Sequence, residues 1–265
     1  MIKNIKLFVN HNNESIKTAR LIKDKLIVNG FVEDDNKYDL AIAVGGDGSF
    51  LRMVKQNNFN SDIYYVGINS GTLGFMQEVK VEEIDKFIFE LKNQMYKVDN
   101  VGIQETTIKH NNDTSKFYSL NEIVVRDKNL KVVKLHITDD DYLMENFMGD
   151  GIIVCTSVGS TAHNLSYGGS IIYPTFTALQ ITSMGPINSK VYKSLVNSII
   201  IPDKKEIMIT PEDNHKDLMI TVDGEHSVYN NVDNITTKID DKKIKCLRLS
   251  HYSFAQKINE KLLSD

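Results

Sequence analysis

From Met1 to about residue 98 the chain alternates short apolar runs with stretches whose apolar residues recur every three or four positions. Few folds satisfy that alternation. "IKLFV" (Ile5 to Val9), "DLAIAV" and "IYYVGI" (Ile63 to Ile68) read as strands buried on both faces. Between them, "ESIKTARLIKDKLIVNG" sets Ile16, Ala19, Ile22 and Leu26 at helical spacing, with Gly30 as a stop. "FLRMVKQ" continues the pattern, and "VEEIDKFIFELKNQ" puts Val81, Ile84, Phe87, Ile88 and Leu91 on one stripe. Strands that alternate with helices imply a parallel sheet covered on both faces.

Beyond residue 98 the pattern changes. "KFYSLNEIVV", "LKVVKLHIT", "GIIVCTS", "SIIIP", "EIMIT", "LMITVDG" and "KIKCLRLS" are short β-rich runs separated by turns. They predict a mostly antiparallel, sandwich-like region. "FAQKINEKLL" places Phe254, Ile258 and Leu262 four apart, which predicts a closing helix that packs back on the first domain. The expected organisation is an α/β domain over 1–98, a β-rich domain over 99–249, and a returning helix over 250–265.

A chain of 265 residues accommodates two modest cores. A formal net charge of −4 argues against a protein that grips nucleic acid. Cys155 and Cys246 are too few and too far apart for a disulfide framework or a zinc site, and both read as small buried thiols in a reducing compartment. The N-terminal apolar run is too short for a signal peptide, and no window reaches the roughly 18 to 20 apolar residues of a membrane span. These features point to a cytoplasmic protein without a membrane partner.

Three stretches carry chemistry. "VGGDGS" (Val44 to Ser49) ends a strand in glycines that let the backbone approach a ligand, where following amides can face an anion. It is neither a Walker loop nor a dinucleotide fingerprint. Asp47 is either a helix cap or a group with work to do beside a phosphate. "GDGIIVCTSVGSTAHNLSYGGSIIYP" (Gly149 to Pro174) holds Asp150 between glycines, then Ser157, Gly159, Ser160, Thr161, Ala162, Asn164 and Ser166. This is either a polar surface loop or a surface on which a flat ring lies while hydroxyls and an amide read its edges. No G-x-S-x-G occurs there, so a hydrolase elbow is excluded. In "SLNEIVV", Asn121 and Glu122 interrupt an alternating strand; they are either solvated at a strand end or turned inward toward a partner such as a ribose diol or a cation.

Together these blocks resemble the NAD kinases, which phosphorylate the 2′-hydroxyl of the adenosine ribose of NAD with ATP. The resemblance rests on Gly45-Gly46-Asp47-Gly48, "NSGTLGF" at 69–75, Asn121-Glu122, "GDG…GSTAHNLSYGG" at 149–169 and "VDG" at 222–224, in this order. It implies an α/β domain followed by a β-rich domain, with the site between them. It further implies that Asp47 orients the hydroxyl and accepts its proton, that Gly46 and Gly48 leave room for phosphates, and that Arg52 binds phosphate. Phe75 would wall the adenine pocket, and Thr161 and Asn121 would hydrogen-bond the adenine. Glu122, Asp150, Ala162, His163 and Ser166 would line the rest of the NAD site, with Asp150 in a site shared between subunits of a homodimer or homotetramer. Asn164 is a further base-reading candidate. Magnesium would arrive on ATP rather than in a protein cage, with polyphosphate as the other donor.

The chain departs from the family pattern at three places: His163 where tyrosine is common, Met148 where an arginine often precedes the Asp, and Ser157-Val158 where proline and a hydroxyl residue are usual. Two other classes compete: a kinase of a lipid or sugar phosphate with the same turn, and an NAD-binding sensor without turnover. Against the first, no amphipathic membrane stretch stands out; against the second, the acid and its glycines are intact.

Overall fold

The computed structural model describes residues 2–71, 74–190 and 192–264. Thr72 and Leu73 of the "NSGTLGF" block lie outside the described residues. The chain forms two compact units, Met1–Val101 with Lys243–Asp265, and Gly102–Lys242.

In the first unit, strands β1 (Asn4–Val9), β2 (Val32–Glu33), β3 (Leu40–Gly45) and β4 (Tyr64–Asn69) pair in the order β2-β1-β3-β4, all parallel. Helices α1 (Asn13–Val28), α2 (Asp47–Gln56) and α3 (Ile84–Lys92) connect and follow them. Asn12 starts α1 by accepting the Ser15 N–H at 2.7 Å. All of β3 is buried, as a central parallel strand requires. Leu40, Ile42 and Val44 share a core with Ile22 and Leu26 of α1 and with Phe87, Ile88 and Leu91 of α3. The buried stripe of α2, Phe50, Met53 and Val54, lies outside that cluster, so helices cover both faces as the alternation predicts.

The second unit holds two sheets, built from β5 (Lys97–His110), β6 (Asp113–Ser119), β7 (Glu122–Asp127), β8 (Val133–Asp139), β9 (Tyr142–Gly149), β10 (Gly151–Thr156), a short helix α4 (His163–Ser166), β11 (Ala178–Met184), β12 (Ile199–Pro202), β13 (Ile207–Pro211), β14 (Leu218–Val222), β15 (Glu225–Tyr229) and β16 (Val232–Arg248). One sheet runs β12-β11-β10-β7-β14-β15, antiparallel throughout. In the other, β16 pairs with β13, β13 with β8 and β8 with β9, while β5 joins β16 and β6. Ile123, Val125, Ile152 and Val154 from the first sheet pack with Leu135, Ile137, Phe147, Ile209 and Ile235 from the second, which makes the expected sandwich. β5, β9, β11 and β15 coincide with none of the expected β-rich runs. The stretch "KFYSLNEIVV" is two strands rather than one, broken at Leu120-Asn121.

β16 continues into the first unit, where Lys245 and Cys246 align parallel to Tyr64 and Tyr65 of β4. Helix α5 (Phe254–Ile258) follows, capped by Ser253, and the Phe254 ring lies 6.1 Å from that of Phe75. The closing helix thus packs on the first unit. Its α winding stops at Ile258 and residues 259–263 widen into a π turn, so Leu262, third in the expected stripe, is exposed. Both cysteines are free and buried. Among the described residues no helix is long and apolar enough to cross a membrane.

Candidate active site

Asp47 is not a cap. Gly46 occupies the N-cap position of α2 without a side-chain bond, and Asp47 is the first helical residue. Its carboxylate turns instead to the segment after β4: Oδ2 accepts the Phe75 N–H at 2.9 Å and Oδ1 the Met76 N–H at 3.0 Å. Gly74 makes this possible, because a Cβ there would stand 1.8 Å from Oδ1 of Asp47. The two backbone donors fix the acid's position, and each oxygen keeps lone-pair capacity for a further donor.

The other residues expected around the turn gather there. A Cβ on Gly46 would meet nothing within 4 Å, and one on Gly48 would meet only Arg52 Nη1, at 3.7 Å, so the turn leaves open space beside the acid. Arg52 is exposed one turn along α2, and its Nη2 donates to Ser49 Oγ at 3.1 Å. Phe75 is half-buried, its ring against Phe254.

In the second unit the chain turns inward at Asn121 and Glu122 because one carboxylate collects its backbone. Asp223 Oδ2 accepts the Leu120 N–H at 2.7 Å, and Oδ1 accepts those of Asn121 and Glu122 at 2.7 and 3.1 Å. Asp223 lies in "VDG", a block noted in the sequence without a role for the acid. The Asn121 carbonyl accepts the Thr156 N–H at 2.8 Å, and Gly159 packs on the Asn121 backbone so closely that a Cβ would come within 2.1 Å of its oxygen. Among the polar atoms of the described residues left buried without partners are Asn121 Oδ1, Glu122 Oε2, Arg126 Nε and Ser157 Oγ. Such atoms are open to a ligand that carries matching groups. Burial, then the Asp223 charge, push the Glu122 carboxyl up to about 8 despite a hydrogen bond from the His163 backbone.

The loop after β10 is built from its own hydroxyls. Ser160 Oγ donates to the Ser157 carbonyl at 2.6 Å, and Thr161 Oγ1 donates to Val158 O at 3.3 Å. Asn164 is fully buried: its Nδ2 donates to Ser160 O at 3.1 Å, and its Oδ1 accepts from Thr182 Oγ1 at 2.6 Å. The Asn164 amide is therefore engaged within the protein on both ends. Thr161, Ala162 and His163 are half-buried and Ser166 is exposed. The His163 ring meets Tyr167 edge-on at 5.3 Å, and burial together with the Arg126 charge lower its pKa. Arg126, missed in the sequence reading, donates from Nη2 to Tyr167 Oη at 3.1 Å.

Asp150 is exposed and stands apart from Glu122. Cys155 of β10 pairs with Glu122, whereas Asp150 precedes Gly151 at the strand's other end, roughly 16 Å away at an ordinary strand rise. Among the described residues no group of three or more His, Cys, Asp or Glu is placed to hold a metal ion.

The ATP-NAD kinase N-terminal domain model matches residues 5–96 and the ATP-NAD kinase C-terminal domain model residues 120–243. The NAD kinase of Finegoldia magna is 40% identical over 253 residues, covering 92% of both proteins. NAD kinase 2 of Halalkalibacterium halodurans is 30% identical over 263 residues, covering 98% of both. The crystal structure of yeast NADH kinase complexed with NADH superposes with a TM-score of 0.84 at 20% identity, over 98% of this chain and 87% of that one. An NAD kinase from Archaeoglobus fulgidus in complex with ATP gives 0.74 at 17% identity, over 98% and 97%. At those identities the two structures speak for the fold; the family models and the curated relatives speak for the family. This chain belongs to the NAD kinase family.

Proposed function

We propose that this protein transfers the γ-phosphoryl group of ATP to the 2′-hydroxyl of the adenosine ribose of NAD, giving NADP and ADP, with Asp47 as the residue that aligns the hydroxyl and takes its proton. The observation that carries this reading is the carboxylate pinned by the Phe75 and Met76 N–H groups beside an open glycine turn. The bond from O2′ to the γ-phosphorus forms as the bond to the β-phosphate oxygen breaks, and the hydroxyl proton passes to Asp47. Phosphoryl transfer runs through a loose transition state, so alignment matters more than base strength. General-base help of this kind is worth roughly 10²–10⁴-fold. The acid sits in a phosphate loop because it serves the hydroxyl that receives the phosphate.

Arg52, exposed beside the turn, is the cation for a phosphate, and Gly46 and Gly48 leave the approach clear. Phe75 walls the adenine, and Thr161 and Asn121 hydrogen-bond it. The unmatched Asn121 Oδ1, Glu122 Oε2 and Ser157 Oγ support a bound group rich in donors and acceptors. Ala162, His163 and Ser166 line the remainder, and the buried Asn164 keeps their loop in shape. Magnesium belongs to this scheme as part of the ATP substrate, where it offsets phosphate charge. Asp150, far along β10 from Glu122, serves a neighbouring subunit's site in a homodimer or homotetramer. The buried, unpaired cysteines suit a cytoplasmic enzyme.

The test is direct. Purified protein with ATP, magnesium and NAD yields NADP; no NADP, or faster phosphorylation of a lipid or sugar phosphate, overturns the reading. Replacing ATP with polyphosphate in the same assay identifies the donor.

A further inference from the structure

Lys257 has an unusual setting for a lysine on a short terminal helix. It is buried, and its ammonium donates to Gln77 O at 2.6 Å, to Phe75 O at 3.2 Å and to Glu78 Oε2 at 3.3 Å. It also lies 4.9 Å from the centre of the Tyr252 ring. Two of its partners are carbonyls of the segment whose N–H groups hold Asp47, and Phe75 contributes to both bonds: its N–H goes to Asp47, its carbonyl to Lys257. The far side of the segment is fixed by the same network. Glu78 Oε1 accepts the Leu249 N–H at 2.9 Å, and Arg248 lies 3.5 Å from Oε2.

We propose that Lys257 is a positioning residue for the phosphoryl transfer: it clamps residues 75–78 from behind so that the Phe75 and Met76 N–H groups stay aimed at Asp47. The inference rests on the assignment of Asp47 above. A buried ammonium stays in such a place only where its bonds repay its desolvation, and here they go to the Phe75 and Gln77 carbonyls and to the Glu78 carboxylate, all in one segment. Burial lowers the Lys257 pKa to about 8 against the pull of Glu78 and Asp47, with Arg248 adding to the fall. Tyr252 faces it too, and Lys80, Glu83, His251 and Glu260 line a cavity of about 140 Å³ beside it. That cavity gives a small alkylammonium ion a way in.

Lys257→Ala and Lys257→Met are to be assayed for NADP formation, with amide hydrogen exchange read at Phe75 and Met76 in the absence of substrates. The expected result is a kcat lower by about a hundredfold, the loss that a misplacement near 1 Å brings. KM for NAD stays within about twofold, because binding in the ground state is little changed. Exchange at the two amides quickens, and propylammonium restores part of the kcat of Lys257→Ala. Folded variants that keep kcat, that keep both amides protected, or whose loss propylammonium leaves untouched overturn the role. If neither variant folds, Lys257→Gln is read in the same way: quickened exchange at the two amides with a lower kcat supports the clamp, and parent-like exchange and kcat overturn it. A parent protein that makes no NADP defeats the reaction assignment, whereas unchanged exchange at Phe75 and Met76 defeats Lys257.

Discussion

Asp47 and Gly74 occupy one space: a methyl group on residue 74 would overlap the Asp47 carboxylate, with Oδ1 only 1.8 Å away. Gly74→Ala must therefore push the carboxylate off its two N–H donors. Turnover is expected to fall by about a hundredfold or more, as for a displaced catalytic group. Circular dichroism and the melting temperature should change little, because Gly74 lies in a connecting segment outside the strands. A Gly74→Ala enzyme with near-normal kcat would show that Asp47 need not stand where it does.

Asp223 collects three N–H groups. Asp223→Ala strips those donors of their acceptor, at an expected cost of about 2–4 kcal/mol in unfolding free energy. With the turn released, Asn121 and Glu122 lose their pose, so KM for NAD should rise by a larger factor than kcat falls. Urea unfolding and steady-state kinetics check both halves; unchanged stability and KM would contradict them.

Glu122 makes stability depend on pH. Its folded-state pKa of about 8 lies above the unfolded value of about 4.3. Between the two values the native chain holds a proton that the unfolded chain has released. The group therefore favours the native state most fully below about pH 4, and that contribution drains away as pH rises through about 8. Glu122→Gln is expected to flatten the fall in melting temperature between pH 5 and pH 9. Parallel curves for variant and parent would remove Glu122 as the source.

How much of this was legible depends on how far apart in sequence the partners lie. The strand, the glycine turn and α2 are local, so apolar periodicity and Gly-Gly-Asp-Gly suffice to place them. That Asp47 is not a cap depends on Phe75 and Met76, which no pattern in the turn announces. The acid of "VDG" is a plain turn residue until Leu120, Asn121 and Glu122 are seen to converge on it. Asn164 reads as an amide for a base edge, yet Thr182 and Ser160 engage that amide in the interior. Lys257 is the hardest case. In "FAQKINEKLL" a lysine between spaced apolar residues suggests a solvated face, and the carbonyls of Phe75 and Gln77 together with the Glu78 carboxylate make burial tolerable.

The most direct trial of the central claim replaces one oxygen. Asp47→Asn keeps the outline of the side chain, gives up one of its two N–H-accepting oxygens and removes its ability to take a proton, so NAD should still bind within about threefold of the parent while NADP formation falls by roughly 10²–10⁴-fold. An Asp47→Asn enzyme that turns over at close to the parent rate would contradict the assignment of the carboxylate to the ribose hydroxyl.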